Sequence, residues 1–476
     1  MIRQDIPKLL KHIEAHKPYI GEVHKTIDIF HGNLRSHVLN VLYETLDARS
    51  YEAAKDRVAS INTLQKLIDK LSRIYQHEPT REVENGTEAD AELLSEYEYH
   101  FKINETMNGA NEMFNLNKTC LLEPFVDEKT RKPKLKVIEN DKFLVYSDDM
   151  QDPTRITHVI IFEGKQEVMT DKGLTEKAVF RAFTDNEFLL FDQDGNILQD
   201  RMNAMGNPEG INPYGRIPFV YINRSQYELI PTLDSDVCSM TILISLLLSD
   251  LGYAIKYMAF SLVYGIDVDM TNVTRAPNAF LELKSDIEGN KPELGTIKPE
   301  VDIDQVMQYT MDLFSLWMNT KGLKAGAVGA NENNASGFAK MIDQMDASEA
   351  RTVQVEIFKN SEERDLWDLV FNYLHPYWVA TGMIDLTHNF SANAYVSVHF
   401  HDQKPMFNRG QLVEELKAEV EAGFLTKKMA IKRLNPRMSQ SEIDELVAEI
   451  EGEKAITIPL FGGQENDNQQ ENDTEQ

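Results

Sequence analysis

Residues 301 to 374 constrain this chain most: they read as a helix, a Gly/Asn-rich loop and a second, much longer helix. Pro299 and the acids Glu300, Asp302 and Asp304 announce the first helix, because carboxylates favour the positive end of a helix dipole. Ile303, Val306, Met307, Phe314 and Trp317 then recur at helical spacing. The loop runs from Lys321 to Ala335 and carries Lys321, Lys324, Gly326, Gly329, Asn331, Asn333 and Asn334. Ser336-Gly337-Phe338-Ala339-Lys340 opens the long helix, with Ser336 as its N-cap.

At 476 residues the chain exceeds the size at which one core keeps growing, so two or three subdomains are expected. Its net charge of −28 disfavours passive adhesion to nucleic acid or anionic membranes, since phosphate binding needs Lys and Arg. An acidic wall nevertheless suits a channel that must pass DNA without holding it. Two cysteines far apart, Cys120 and Cys238, argue against a disulfide framework and for a reducing compartment. The N-terminus lacks the apolar run of a signal peptide. The most hydrophobic stretch, Thr241 to Tyr264, is interrupted by Asp250 and Lys256, and reads as a helix buried between subunits rather than a membrane span.

Along the chain, residues 1 to 118 read as mostly helical, clearest over Tyr51 to Tyr75, where Val58, Ile61, Leu64, Leu67, Ile68 and Leu71 form one apolar stripe. The acid-rich stretch Glu82 to Glu98 includes an exposed loop. From Leu121 to about Ile222 the period changes to short strands at Val137-Ile138, Phe143 to Tyr146, Thr157 to Phe162 and Val179 to Phe183. Phe188 to Leu198 reads as a hairpin turning tightly at Asp194-Gly195, and Tyr214 to Tyr221 as a closing strand. A long helix is expected from roughly Thr232 to Leu262, followed by a Pro/Gly-punctuated segment from Gly265 to Pro299 with a strand-like Phe280-Leu281-Glu282-Leu283. Tyr395 to Phe400 reads as a late strand, and the C-terminal part as helical, with Leu412, Val413, Leu416 and Val420 on one face. Ser439-Gln440-Ser441-Glu442 forms a capping box for a last helix, and the tail after Phe461 is expected to be disordered. The fold class expected is α+β.

No nucleotide fingerprint is present: Gly322, Gly326 and Gly329 are never followed by Gly-Lys-Ser/Thr. Asp192-x-Asp194-Gly195 falls short of a calcium loop, since Asn203 stands where the twelfth-position ligand would be and the glycine is misplaced. His399, His401 and Asp402 are a candidate metal cluster, the two histidines sharing one strand face. His12 and His16 stand at i, i+4, with His24, His31 and His37 beyond, but no Glu sits between the first two as a base; these read as exposed or capping helix residues. No Ser/His/Asp signature stands out, so no catalytic residue, metal or cofactor is assigned and the chain reads as a non-enzyme. Lys321 and Lys324 either cap helix carbonyls or face a polyanion.

The Ser-Gly-x-Ala-Lys motif after a Gly/Asn loop, the Gly215-Arg216-Ile217-Pro218 strand and the order of all elements resemble the portal proteins of long-tailed bacteriophages, across nearly the whole chain. The resemblance implies N-terminal helices and a β-rich wing over 1–231, a first stem helix over 232–264, a clip over 265–299 and a second stem helix over 300–320. It further implies a tunnel loop over 321–335, a long wing helix and late strand over 336–407, a helical crown over 408–461 and an acidic tail over 462–476. It implies a homo-oligomeric ring, a dodecamer in the usual form, that replaces one capsid pentamer at the portal vertex of the virion and is assembled in the host cytoplasm. Double-stranded DNA would pass through it without sequence readout, during packaging and ejection. The implied partners are the terminase large subunit, which supplies ATP hydrolysis, the major capsid protein and scaffold, and head-completion or adaptor proteins, with no membrane involved. The C-terminal region is short for that family, and Phe338 stands where many members carry a smaller residue. The rival classes are a metal-dependent enzyme using His399, His401 and Asp402, and a non-viral oligomeric scaffold.

Overall fold

The computed structural model describes residues 2–170, 173–259, 262–266, 293–297, 302–323, 351–400, 409–423 and 425–435, together with Ile443, Leu446 and Val447. The chain divides into two compact units, Met1–His401 and Asp402–Gln476. It is an α+β protein whose described strands form small antiparallel sheets.

Seven helices lead the first unit: α1 (Ile2–Ala15), α2 (Lys17–Asp28), α3 (Leu34–Thr45), α4 (Ala48–Ala54), α5 (Thr63–Leu71), α6 (Glu88–Phe101) and α7 (Ile103–Asn117). The single helix expected over Tyr51 to Tyr75 is broken. Chain that would continue α4 instead runs extended past Val58, and Asn62 restarts it by accepting from the backbone N–H of Gln65 at 3.1 Å. An Asn that satisfies an orphan N–H makes a new helix start cheaper than helix continuation. Only Leu64, Leu67 and Ile68 of the stripe are buried, while Ile61 is exposed.

The acid-rich stretch includes the expected exposed loop, at residues 85–87. It holds β1 (Thr80–Glu84) and the start of α6, whose capping box pairs Thr87 with Asp90. Asp90 is fully buried and accepts from the backbone N–H and hydroxyl of both Thr87 and Ser391, and from His388 Nε2 at 2.9 Å. Desolvation alone would raise its carboxyl, but the hydrogen bonds from Ser391, Thr87 and His388 outweigh it and hold the group below the usual range.

The β region holds a three-stranded sheet, β3 (Lys132–Ile138), β2 (Thr119–Asp127), β8 (Val220–Asn223), and a four-stranded sheet of β4 (Phe143–Tyr146), β5 (His158–Thr170), β6 (Gly173–Phe183) and β7 (Phe188–Asp192). The turn after β7 is wider than the tight turn expected. Gly195 alone takes positive φ, at +85°, and the Asp192 carboxylate accepts from the N–H groups of Asp194 and Asn196 and from Asn196 Nδ2. The return strand shrinks to one bridge, Phe191 to Ile197, and a short helix, α8 (Gln199–Ala204), follows. The closing strand starts at Val220 rather than Tyr214, because Pro218 cannot donate to a ladder; Asn212 and Asp185 instead fasten the preceding segment through Arg216 O and Ile217 N.

A 25-residue helix, α9 (Ser235–Ala259), and an 18-residue helix, α10 (Ile303–Thr320), pack antiparallel and are joined at their far ends by β9 (Leu262–Ile266) paired with β10 (Glu293–Ile297). At 1.5 Å per residue they are about 37 and 27 Å long. Residues 267–292, including the strand-like Phe280 to Leu283, lie outside the described residues. Thr241, Ser245 and Ser249 make a buried stripe on α9, each bonding back to the carbonyl four residues earlier, and Ser249 also accepts from Ala59 N–H at 2.9 Å. Small hydroxyl residues at i, i+4 and i+8 let the neighbouring chain approach closely without leaving a polar group unpaired.

A long helix covers 351–380 with two wider, π-type stretches at Ser361–Leu366 and Leu369–Leu374. Its Leu366, Trp367, Val370 and Phe371 fill a core shared with α2, α3, α5, α6 and α7, whereas α1 packs on the β4–β7 sheet. In the first π-type stretch, fully buried Glu362 accepts from Arg81 Nε at 2.8 Å and from the Tyr75 hydroxyl, while adjacent Glu363 accepts from Val398 N–H at 2.7 Å. Arg81 is on β1 and Val398 on β11 (Tyr395–His399), so two consecutive acids fasten both strands of the β1–β11 sheet to one helix.

The second unit pairs a helix Arg409–Glu421 with another, Lys427–Leu434, capped by Thr426, around Leu416, Leu425 and Ala430. Leu416 is buried as expected, but Val413 is exposed. Residues 436–442, with the expected capping box, and the tail from 462 lie outside the described residues.

Glu362→Gln removes the charge opposite a buried guanidinium and is expected to destabilise the first unit by about 3–5 kcal/mol, read as a lower denaturant midpoint. Because the Asp90 pKa is depressed in the folded state, its stabilisation is complete above the ordinary carboxylate range and is lost as pH falls through the folded value. Asp90→Asn should therefore flatten the loss of stability in acid titrations starting from about pH 4, followed by tryptophan fluorescence.

Candidate functional site: the clamp at the base of the helix pair

Where α10 ends, Gly322 takes a left-handed conformation at φ +72°, and Leu323 N–H returns to Met318 O at 3.0 Å. Leu323 packs with Leu67, Ile244, Trp317 and Met318. Lys321 sits inside this cap. Its Nζ donates to Asp234 Oδ2 and Asp236 Oδ1, both at 2.9 Å, and only 16% of its side chain is exposed. Trp317 Nε1 donates to the other oxygen of Asp236 at 3.0 Å. Asp234 also binds Lys118 Nζ at 2.6 Å, and that amine donates to Thr232 O at 2.7 Å. Desolvation would raise the Asp234 carboxyl, but Lys118 and Lys321 outweigh it and hold it below its usual range.

These bonds tie three chain segments at one point: the end of α10, the start of α9 and the turn between α7 and β2. A cleft of about 590 Å³ opens beside them, lined among others by Lys118, Arg224, Asp234 and Lys321. Buried amides close its back: Asn111 and Asn115 on α7 both donate to Gln354 Oε1 on the long helix, at 2.9 and 3.1 Å. Lys118 and Lys321 face carboxylates already in place, so these two cations hold chain segments together.

Lys321, expected either to cap carbonyls or to face a polyanion, is thus neutralised by two carboxylates. Lys324, Gly326, Gly329, Asn331, Asn333 and Asn334 lie outside the described residues, as do Ser336, Gly337, Phe338, Ala339 and Lys340. Of α10's expected acidic cap, Asp302 performs the capping, accepting from Gln305 N–H at 3.1 Å. His399 is exposed on β11 and bonds Ser397 Oγ at 3.1 Å; His401 and Asp402 lie outside the described residues. Among the described residues no three His, Cys, Asp or Glu side chains converge as a ligand set. The N-terminal histidines bond locally or across to the β region: His12 to Val145 O, His16 to His12 O, His24 to Asp141 and His37 to Asp28. Sequence reading passed over Asp234, Asp236 and Lys118, whose only signal was an acidic pair just ahead of a long apolar helix.

The fold and clamp define an α+β protein in which a pair of long antiparallel helices is fastened to helical and β-rich elements. No family model matches the chain, and no curated protein does. Among solved structures, a chain from the neck of an empty GTA particle computed with C6 symmetry is similar at 11% identity over 78% of this chain and 90% of that one. Its TM-score is 0.39, a likeness too weak to carry fold or function across.

Lys321→Met breaks two partly buried ion pairs at once. The variant is expected to lose about 1–2 kcal/mol and to exchange the amide hydrogens of Gly322 and Leu323 faster, measured by hydrogen–deuterium exchange.

Proposed function

We infer that this chain is a portal subunit, one copy in a closed ring at a capsid vertex through which double-stranded DNA is packaged and later ejected. One observation carries the reading. The α9–α10 pair leaves Leu243, Ile255, Met307, Tyr309, Met311 and Leu316 exposed, at 39–63% of their surface, on a chain of net charge −28. Met307 and Met311 lie on one side of α10 and Tyr309 and Leu316 on the other, and exposed apolar surface on such flanks is what contacts with other surfaces require. Copies packed side by side around an axis would cover them and leave the charged surfaces to water. The segment Ser235–Ile255 is also long and apolar enough to cross a bilayer, at mean hydropathy 1.7 with a third of it buried. Its Thr241/Ser245/Ser249 face already packs on the segment around Ala59, which favours neighbouring protein over lipid.

In this reading α9 and α10 are the stem, and the segment beyond Leu323 faces the channel. With Lys321 engaged by Asp234 and Asp236, phosphate contacts fall to Lys324 and to the amides of Asn331, Asn333 and Asn334. Such contacts are weak and salt-sensitive, which suits DNA that must move. The channel is mechanical; a terminase docked at the clip end would supply the energy, and capsid, scaffold and head-completion proteins would surround the ring in the virion.

Negative-stain electron microscopy and native mass spectrometry of the purified protein test this. Closed rings with a central hole are expected, and Leu316→Asp combined with Met311→Asp should raise the concentration needed for assembly at least tenfold. Compact monomers that stay monomeric at high concentration and with capsid scaffold present would overturn it.

A further inference from the structure

Ile357, Ser361, Asp365, Leu369 and Tyr373, four residues apart along the long helix, line a cleft of about 810 Å³. Its other walls come from the segments around Arg155 and Ile217. Buried Ile217, Phe219 and Leu369 make the lining partly apolar. Asp365 belongs to the same π-type stretch that sends Glu362 and Glu363 to the β1–β11 sheet. Wider turns of this kind are frequent at functional sites.

Asp365 is half-buried, and among the described residues its carboxylate makes no hydrogen bond and no ion pair. Burial pushes the carboxyl up from its ordinary value, and Arg216 and Arg364, acting through space, do not offset that. A carboxylate so placed bears the cost of desolvation without a bond in return. Asp368, three residues on, shows what is missing. Arg216 bonds its carboxylate, and the same guanidinium lies over the Tyr373 ring, 5.1 Å from its centre. Arg216 is thereby committed to Asp368, and Asp365 has no arginine of its own. The side chains of Asn360 and Gln226 also line the cleft and make no bond among the described residues.

We propose that this cleft is a binding site for an alkylguanidinium, with Asp365 taking the cationic head and the apolar lining taking the stem. Guanidinium is favoured over ammonium because it is the more weakly hydrated ion and its planar fork matches a carboxylate through two hydrogen bonds. An aliphatic stem lies readily along apolar surface while its charged head is bonded elsewhere. The cleft volume falls within the range of small-ligand pockets. The chemistry is the same for a free guanidinium and for an arginine side chain of another chain. Every lining residue named belongs to the first unit, so the site does not require the ring.

Butylguanidinium chloride, titrated into the full-length protein and followed on its butyl protons by saturation-transfer NMR, tests the site. Saturable binding is expected, weakened about tenfold or more in Asp365→Asn, with none for 1-butanol, which has the stem without the charge. Because the substitution removes no bond, the thermal midpoint of Asp365→Asn is expected to stay level or rise. Equal binding by the two proteins, or no saturable binding by the natural one, would overturn the site. So would a lowered midpoint, which would mean that Asp365 already has its partner within the chain. Native mass spectrometry then separates the two sources. Self-association weakened both by the probe and by Asp365→Asn assigns the guanidinium to an arginine of a second copy, whereas unchanged self-association with the probe bound assigns it to a cation from outside the assembly.

Discussion

Arg81 and Glu362 meet in the interior of the first unit, with the Tyr75 hydroxyl on the same carboxylate and Asn104 on the guanidinium. Neither charge tolerates losing the other, because a lone ion in a low-dielectric interior is far costlier than a paired one. This pair therefore admits one arrangement of β1 against the long helix and rejects slipped ones. Glu363, the next residue, holds Val398 of β11 and so sets the neighbouring strand as well. The π-type winding of Ser361–Leu366 places two consecutive acids where each reaches a different strand of one sheet. An N-terminal segment, a helix near residue 362 and a strand near 398 become one body through contacts that span about three-fifths of the chain.

A different kind of contact governs the α9–α10 helix pair. Lys321, Asp234, Asp236, Lys118 and Trp317 form a partly exposed network in which each carboxylate serves two donors. Such a network contributes less stability than the Arg81–Glu362 pair, since water screens it. Its value is positional: it fixes where α10 ends. The hydroxyl stripe of α9 performs the matching task along the helix, bringing it close to residues 59–63 with every hydroxyl bonded. Among the described residues, the exposed apolar side chains of α9 and α10 are surface that another copy is suited to cover.

Much of the architecture was legible in the sequence, because local physics sufficed for it. The α+β class, the 25-residue α9, the Asp302-capped α10 and the strands at Phe143, Val179 and Tyr395 follow from periodicity, helix-start residues and β-branched runs. Reading failed where one short-range interaction beat another. Asn62 ended a periodic helix by capping a new one, and Pro218 delayed a strand that its neighbours favour. By itself, then, the sequence determined which segments are helices and strands, which of them are apolar, and that the chain is strongly acidic. Tertiary structure alone decided that β1 pairs with β11 across more than three hundred residues, that Glu362 lies opposite Arg81, and that Lys321 is spent on Asp234 and Asp236. The physical reason is range. Helix caps, turns and periodicity act over a few residues, whereas the choice of a charged partner or a strand neighbour is made only when burial brings distant segments together and leaves one arrangement with no charge unpaired.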